Sequence, residues 1–125
     1  MNKTSPNAVE WFEILTADLS KAIAFYNRIL GHKLEAAEFG PNRIAMFPHQ
    51  EPGPGGCLMQ GPGMVPSGTG SVVYLPAKQI DTAVAEVQAA GGKIVVPKTP
   101  IGGDQGFFAR FLDLEGNLVG ICAKE

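Results

Sequence analysis

The segment Ile14–Gly31, ILTADLSKAIAFYNRILG, runs from a strand into a helix and stops on a glycine. Upstream, Ala8–Leu15 (AVEWFEIL) is rich in β-branched and aromatic residues and partly alternating, so it reads as a strand. Asp18 is placed to cap the helix, its carboxylate accepting from first-turn amides. Leu19, Ala22, Ile23, Tyr26, Ile29 and Leu30 recur at helical spacing and give one apolar face. Gly31 closes the helix, where a left-handed residue is needed. Lys33–Phe39, Asn42–Pro48 and Gly55–Gln60 follow as three short strands divided by Gly/Pro turns.

The same order then begins again. Ser71–Leu75 (SVVYL) reads as a strand. Ile80, Ala83, Val84, Val87 and Ala90 mark a second amphipathic helix, which Gly91-Gly92 stops. Lys93–Pro97, Phe107–Asp113 and Leu118–Cys122 are the closing strands, with hairpin-turn chemistry at Glu115-Gly116-Asn117. Offset by 60, Trp11 falls on Ser71, Leu15 on Leu75, Gly31 on Gly91 and Lys33 on Lys93. Identity is low; the repeat lies in the order of elements. The expected fold is α+β, two βαβββ modules in one chain, the first about 7–60 and the second about 70–123. One helix covers one face of each sheet, so the other face needs a partner module, in the same chain or in a second one. A ferredoxin-like sandwich would need the order βαββαβ, which eight strand candidates contradict.

At 125 residues the expectation is one domain over 1–125. A hydrophobic share of 45% with 18% charged is an ordinary globular composition. The net charge is −2 and no two Lys or Arg residues are adjacent, so nothing favours nucleic acid as a partner. Met1–Asn7 is polar, with no apolar signal-peptide core, and no apolar run reaches membrane-spanning length. A cytoplasmic address and no membrane partner are therefore expected. Cys57 and Cys122 lack CxxC spacing and read as buried thiols. Among 16 Gly and 10 Pro, many gather in Glu51–Gly56 and Gly61–Gly70, and the second cluster marks the linker between modules.

Three stretches resemble the vicinal-oxygen-chelate superfamily, the glyoxalase and bleomycin-resistance proteins, over nearly the whole chain. Ile14–Gly31 is similar to its opening, with Asp18 at the helix start, then Phe25-Tyr26 and Leu30-Gly31. Val73–Lys93 ends in the Ala-Gly-Gly-Lys of residues 90–93. Gly106–Gly120, GFFARFLDLEGNLVG, is similar to its closing hairpin, with Leu114 where that hairpin usually has Pro. The resemblance implies the two-module fold, a homodimer and a small-molecule ligand. It does not choose among the isomerases, dioxygenases, lyases, transferases and non-catalytic drug binders built on that fold.

The resemblance also implies where metal-dependent relatives hold their ion: on the first and last strands of each module. Those slots fall on Trp11, Ser71, Gly120 and the stretch Cys57–Met59. Trp11, Gly120 and Leu58 offer no donor to a divalent metal and Ser71 is a poor one, so no metal and no cofactor are expected. His32 and His49 read as turn or surface residues.

Strand alternation predicts a lining in place of a metal centre. Trp11 and Glu13 share one face and Phe12 and Ile14 the other, since the inverse phase would bury the Glu13 carboxylate beneath the helix. By the same alternation Ser71 and Val73 face inward and Val72 and Tyr74 face the helices. Met46, Cys57, Met59, Phe108, Arg110 and Cys122 complete the predicted lining. Glu13 is the weak candidate for a catalytic group, and its bland alternative is an ion pair with Arg110. The leading expectation is a metal-independent small-molecule-binding protein used for sequestration or sensing. The alternatives are a glyoxalase-like lyase or isomerase, metal-free with Glu13 or with an atypical metal site, and a partner-binding module whose cup is filled by its own side chains.

Overall fold

The computed structural model describes residues 7–50 and 53–125. The rest of the polar start and the Glu51-Pro52 part of the first Gly/Pro cluster lie outside the described residues. The order is β1 (Trp11–Leu15), α1 (Leu19–Leu30), β2 (Ala36–Phe39), β3 (Asn42–Met46), β4 (Gly55–Gln60), β5 (Val73–Pro76), α2 (Ile80–Ala89), β6 (Lys93–Pro100), β7 (Phe107–Leu112) and β8 (Leu118–Ala123). These make two βαβββ modules, each a four-stranded sheet, ordered β1-β4-β3-β2 and β5-β8-β7-β6. In each module the first strand runs parallel to the last and the other pairs are antiparallel.

Local chemistry sets the element ends. Asp18 caps α1 by accepting from the Lys21 amide at 3.1 Å. Gly31 ends that helix at φ 69°, which a side chain would strain. The strands run shorter than the sequence pattern at three starts: β1 begins at Trp11, β2 at Ala36 and β5 at Val73.

One buried cluster joins the modules. Leu19, Tyr26, Ile80, Val87, Phe111 and Ile121 are essentially inaccessible, each such burial contributing roughly 1.5–3 kcal/mol. Phe25 of α1 meets Tyr26 edge-on at 5.1 Å and reaches Phe111 of β7 at 5.9 Å. Polar bonds lock the same junction. The Tyr26 hydroxyl donates to Asp113 Oδ2 at 2.8 Å, and Asn117 Nδ2 donates to the Leu15 carbonyl at 2.7 Å. The Thr16 hydroxyl and the Ala17 amide donate to the Glu115 carboxylate. The Ser67 amide donates to Asn117 Oδ1 at 2.9 Å, fixing the linker to the closing hairpin. No helix among the described residues is long and apolar enough to cross a membrane.

The structural repeat is offset by 61, one more than the sequence alignment gave. The helices begin at Leu19 and Ile80, and the buried strand residues Ile14 and Leu75 are equivalent, facing Leu58 and Ile121. That single residue changes which side chains of β5 face out.

Candidate functional site

Sheet alternation divides each module into a helix-covered face and an open face. In β1, Phe12 and Ile14 enter the core, while Trp11 and Glu13 leave on the open side. Trp11 is 42% exposed, and its Nε1 donates to Glu13 Oε2 at 3.2 Å. The indole lies over Gly55, whose missing Cβ would stand 3.2 Å from Trp11 Cζ3. Glu13 pairs in register with Cys57, and Cys57 with Met46, so these three form one row across the first sheet. Met46 is exposed. Cys57 and Met59 are buried with Ile44, and Leu15 and Met64 pack against them. Burial, and then the neighbouring Glu13 charge, push the Cys57 thiol up to about 11.

On the second sheet Val73 and Leu75 pack into the core and Tyr74 stands on the open face. This corrects the helix-facing placement of Tyr74. Ser71 precedes β5 rather than lying in it. It shares a crevice of about 150 Å³ with Glu13, Ser67, Thr69, Val73 and Asn117, so Val73, though packed on the core, also borders this space. Tyr74 pairs with Gly120 and Gly120 with Arg110, the row equivalent to Glu13, Cys57 and Met46. The tyrosine ring lies directly over the glycine: a Cβ at Gly120 would come within 2.3 Å of Tyr74 Cδ2.

Ala109 and Phe111 are fully buried beneath β7, leaving Phe108 and Arg110 on the open face. Arg110 Nε donates to the Tyr74 hydroxyl. Its guanidinium carbon lies 5.7 Å from the Tyr74 ring centre and 5.4 Å from that of Phe108. With Pro100, Ile101 and Cys122 these three side chains border an open recess of about 390 Å³. Glu13 and Arg110 do not pair; each has its own aromatic partner on its own sheet. Of the residues read from sequence as one lining, Glu13, Ser71 and Val73 border one crevice between the modules, while Phe108, Arg110 and Cys122 border a recess on the second sheet together with Tyr74, which the sequence reading did not include. Aligning the two helix starts at an offset of 61 would have found it.

Two other recesses are present, the first reaching Tyr74 at its edge. Phe12, Phe47, Pro48 and His32 border one of about 460 Å³ on the helix side, where burial lowers the His32 pKa. Another, of about 540 Å³, lies between the two helices and is crossed by the Arg28–Glu86 ion pair at 3.1 Å.

The donor set does not suit a divalent metal. Trp11 supplies no ligand atom, the space at Gly120 is covered by a phenol ring, and the offset of 61 puts Val72 where the sequence alignment had Ser71. Among the described residues no three His, Cys, Asp or Glu side chains gather closely enough to hold an ion.

Comparison with solved structures places the fold among known ones. A V278E mutant of glyoxalase I from Zea mays matches with TM-score 0.68 at 20% identity, over 98% of this chain and 48% of that one. This chain thus spans about half the length of the maize structure. TnmS3, an antibiotic binding protein from Streptomyces sp. CB03234, matches with TM-score 0.66 at 23% identity, over 97% of this chain and 98% of that one. The fosfomycin resistance protein FosX from Listeria monocytogenes matches with TM-score 0.62 at 18% identity, over 97% and 94%. Sequence comparison with curated proteins gives no significant match. A family model covers residues 8–121, and the chain belongs to the Glyoxalase/Bleomycin resistance protein/Dioxygenase superfamily.

Proposed function

We propose that this chain is a metal-independent small-molecule-binding protein whose ligand lies against the open sheet faces. One observation carries the reading: at Gly120, where metal-dependent relatives place a final-strand donor, a tyrosine ring packs on bare backbone beside an arginine. An aromatic wall with few polar groups is the usual make-up of a ligand site. The similarity to an antibiotic binding protein of the same length is consistent with binding without turnover. An enzyme using Glu13 has less support, because that carboxylate is engaged by the Trp11 indole. We propose also that two copies associate, since Trp11, Met46 and Tyr74 leave apolar surface on both open faces.

The test is a ligand-observed NMR screen of flat aromatic compounds against protein treated with EDTA. Binders should appear, and adding zinc or nickel should leave their affinities unchanged. Binding that arises only with added metal would overturn the proposal. Sedimentation velocity at micromolar concentration should give a dimer; a stable monomer would refute that part.

A further inference from the structure

The recess on the second sheet has a definite electrostatic character. Its lining is Tyr74, Pro100, Ile101, Phe108, Arg110 and Cys122, and Arg110 is the one charged residue among them. The arginine is held from two sides. Nε is occupied by the Tyr74 hydroxyl, and the guanidinium lies near two rings that meet edge-on at 6.0 Å. These contacts orient the guanidinium, and among the described residues neither of its terminal nitrogens has a protein acceptor. The tyrosine oxygen accepts from Arg110, so its own proton is free to be donated outward. Nearby Cys122 adds no charge, since burial raises its thiol pKa.

From this we infer that the recess selects flat aromatic anions, compounds in which a carboxylate or phenolate is borne on a planar ring system. The inference rests on the small-molecule-binding reading and specifies the ligand class. A guanidinium fork matches a carboxylate with two parallel hydrogen bonds, and Tyr74 supplies a third donor. Fixing the fork in advance lowers the ordering cost of binding. Phe108 and Tyr74 provide the surface that an aromatic body covers and a small anion does not.

The equivalent row of the first sheet argues for the assignment by contrast. There the residues are Glu13, Cys57 and Met46, with Trp11 alongside, so that face repels anions. The two faces share a backbone plan and differ in sign, so charge preference tells which one a ligand uses.

The experiment compares 2-naphthoate with 2-naphthamide, nearly equal in shape and differing in charge, by isothermal titration of the intact protein. Acetate serves as an anion without a ring. Naphthoate should bind roughly tenfold or more tightly than the amide, because its hydrogen bonds with the guanidinium join two charged partners. Acetate should show no measurable binding. Arg110→Met should bring naphthoate to the amide's level, and Lys33→Met, which removes an equal charge from an exposed position outside the recess, should leave the preference intact. Arg110→Lys keeps the charge without the fork and should fall between, which covers the case in which Arg110→Met fails to fold. Equal affinity for acid and amide would overturn the inference while leaving a neutral-ligand pocket standing. Acetate binding as well as naphthoate would overturn the aromatic part. A preference lost in Lys33→Met but kept in Arg110→Met would overturn the location. If neither naphthalene binds and the broader screen finds nothing, the small-molecule reading fails with it.

Discussion

Replacing Asn117 with alanine should cost about 3 kcal/mol of folding stability. Its side chain is nearly buried and makes three bonds: Nδ2 to the Leu15 carbonyl at 2.7 Å, Nδ2 to Asp113 Oδ2 at 2.9 Å, and Oδ1 from the Ser67 amide at 2.9 Å. Each such bond is worth about 1 kcal/mol net, and more where a partner is left buried without a substitute. Domains of this size have about 5–15 kcal/mol in total, so the loss is a large fraction. Urea unfolding followed by circular dichroism should show the midpoint falling by about 1–3 M with an unchanged slope. Asn117→Asp sharpens the test. It keeps the acceptor for Ser67 but sets a carboxylate oxygen against the Leu15 carbonyl and the Asp113 carboxylate. Although closer in shape, it should destabilise more than alanine does. If aspartate proves the milder change, or alanine costs under about 0.5 kcal/mol, the junction between modules is not held as described.

Gly120→Ala should displace the Tyr74 ring and destabilise by about 1–3 kcal/mol, with loss of naphthoate binding; full binding with a stable fold would show that the ring is not seated there. Cys57, with its thiol pushed up to about 11 from 9.0, should resist iodoacetamide at pH 8 in native protein and react in urea, as mass spectrometry would show. The same shift has a stability sign. The folded state holds the proton more tightly, so this contribution is intact below the unfolded pKa of 9.0 and is lost as pH rises toward about 11. Cys57→Ala should flatten that alkaline limb of the urea midpoint; an unchanged limb would assign it elsewhere. Millimolar EDTA should leave the melting temperature of purified protein unchanged; a drop of several degrees would reveal a bound structural ion.

The element order was legible because apolar periodicity and glycine stops are local signals, and both helices and all eight strands follow from them. The phase of β1 was legible for a different reason: Glu13 carries a charge, and only one phase keeps it out of the core. Strand β5 has no such marker. Val72, Val73, Tyr74 and Leu75 can each be buried at little cost, so the phase rested on the alignment, and Gly91-Gly92 permits an offset of either 60 or 61. One residue of slip in a strand turns every side chain to the opposite face. That slip hid Tyr74. The Glu13–Arg110 pairing failed because it is a relation between sheets. Alternation gives the face a residue leaves by, not the distance to another face.

The two matched rows have a consequence for how this protein can change. Glu13, Cys57 and Met46 occupy the same places in the first ladder as Tyr74, Gly120 and Arg110 do in the second. A duplicated half-chain carries a spare copy of each position, so selection can alter one copy while the other preserves what it already recognises. Ladder hydrogen bonds belong to the backbone, so none of the five side chains at these six positions takes part in one. A laboratory library confined to one row therefore explores new specificities with the opposite face as an unmutated internal reference.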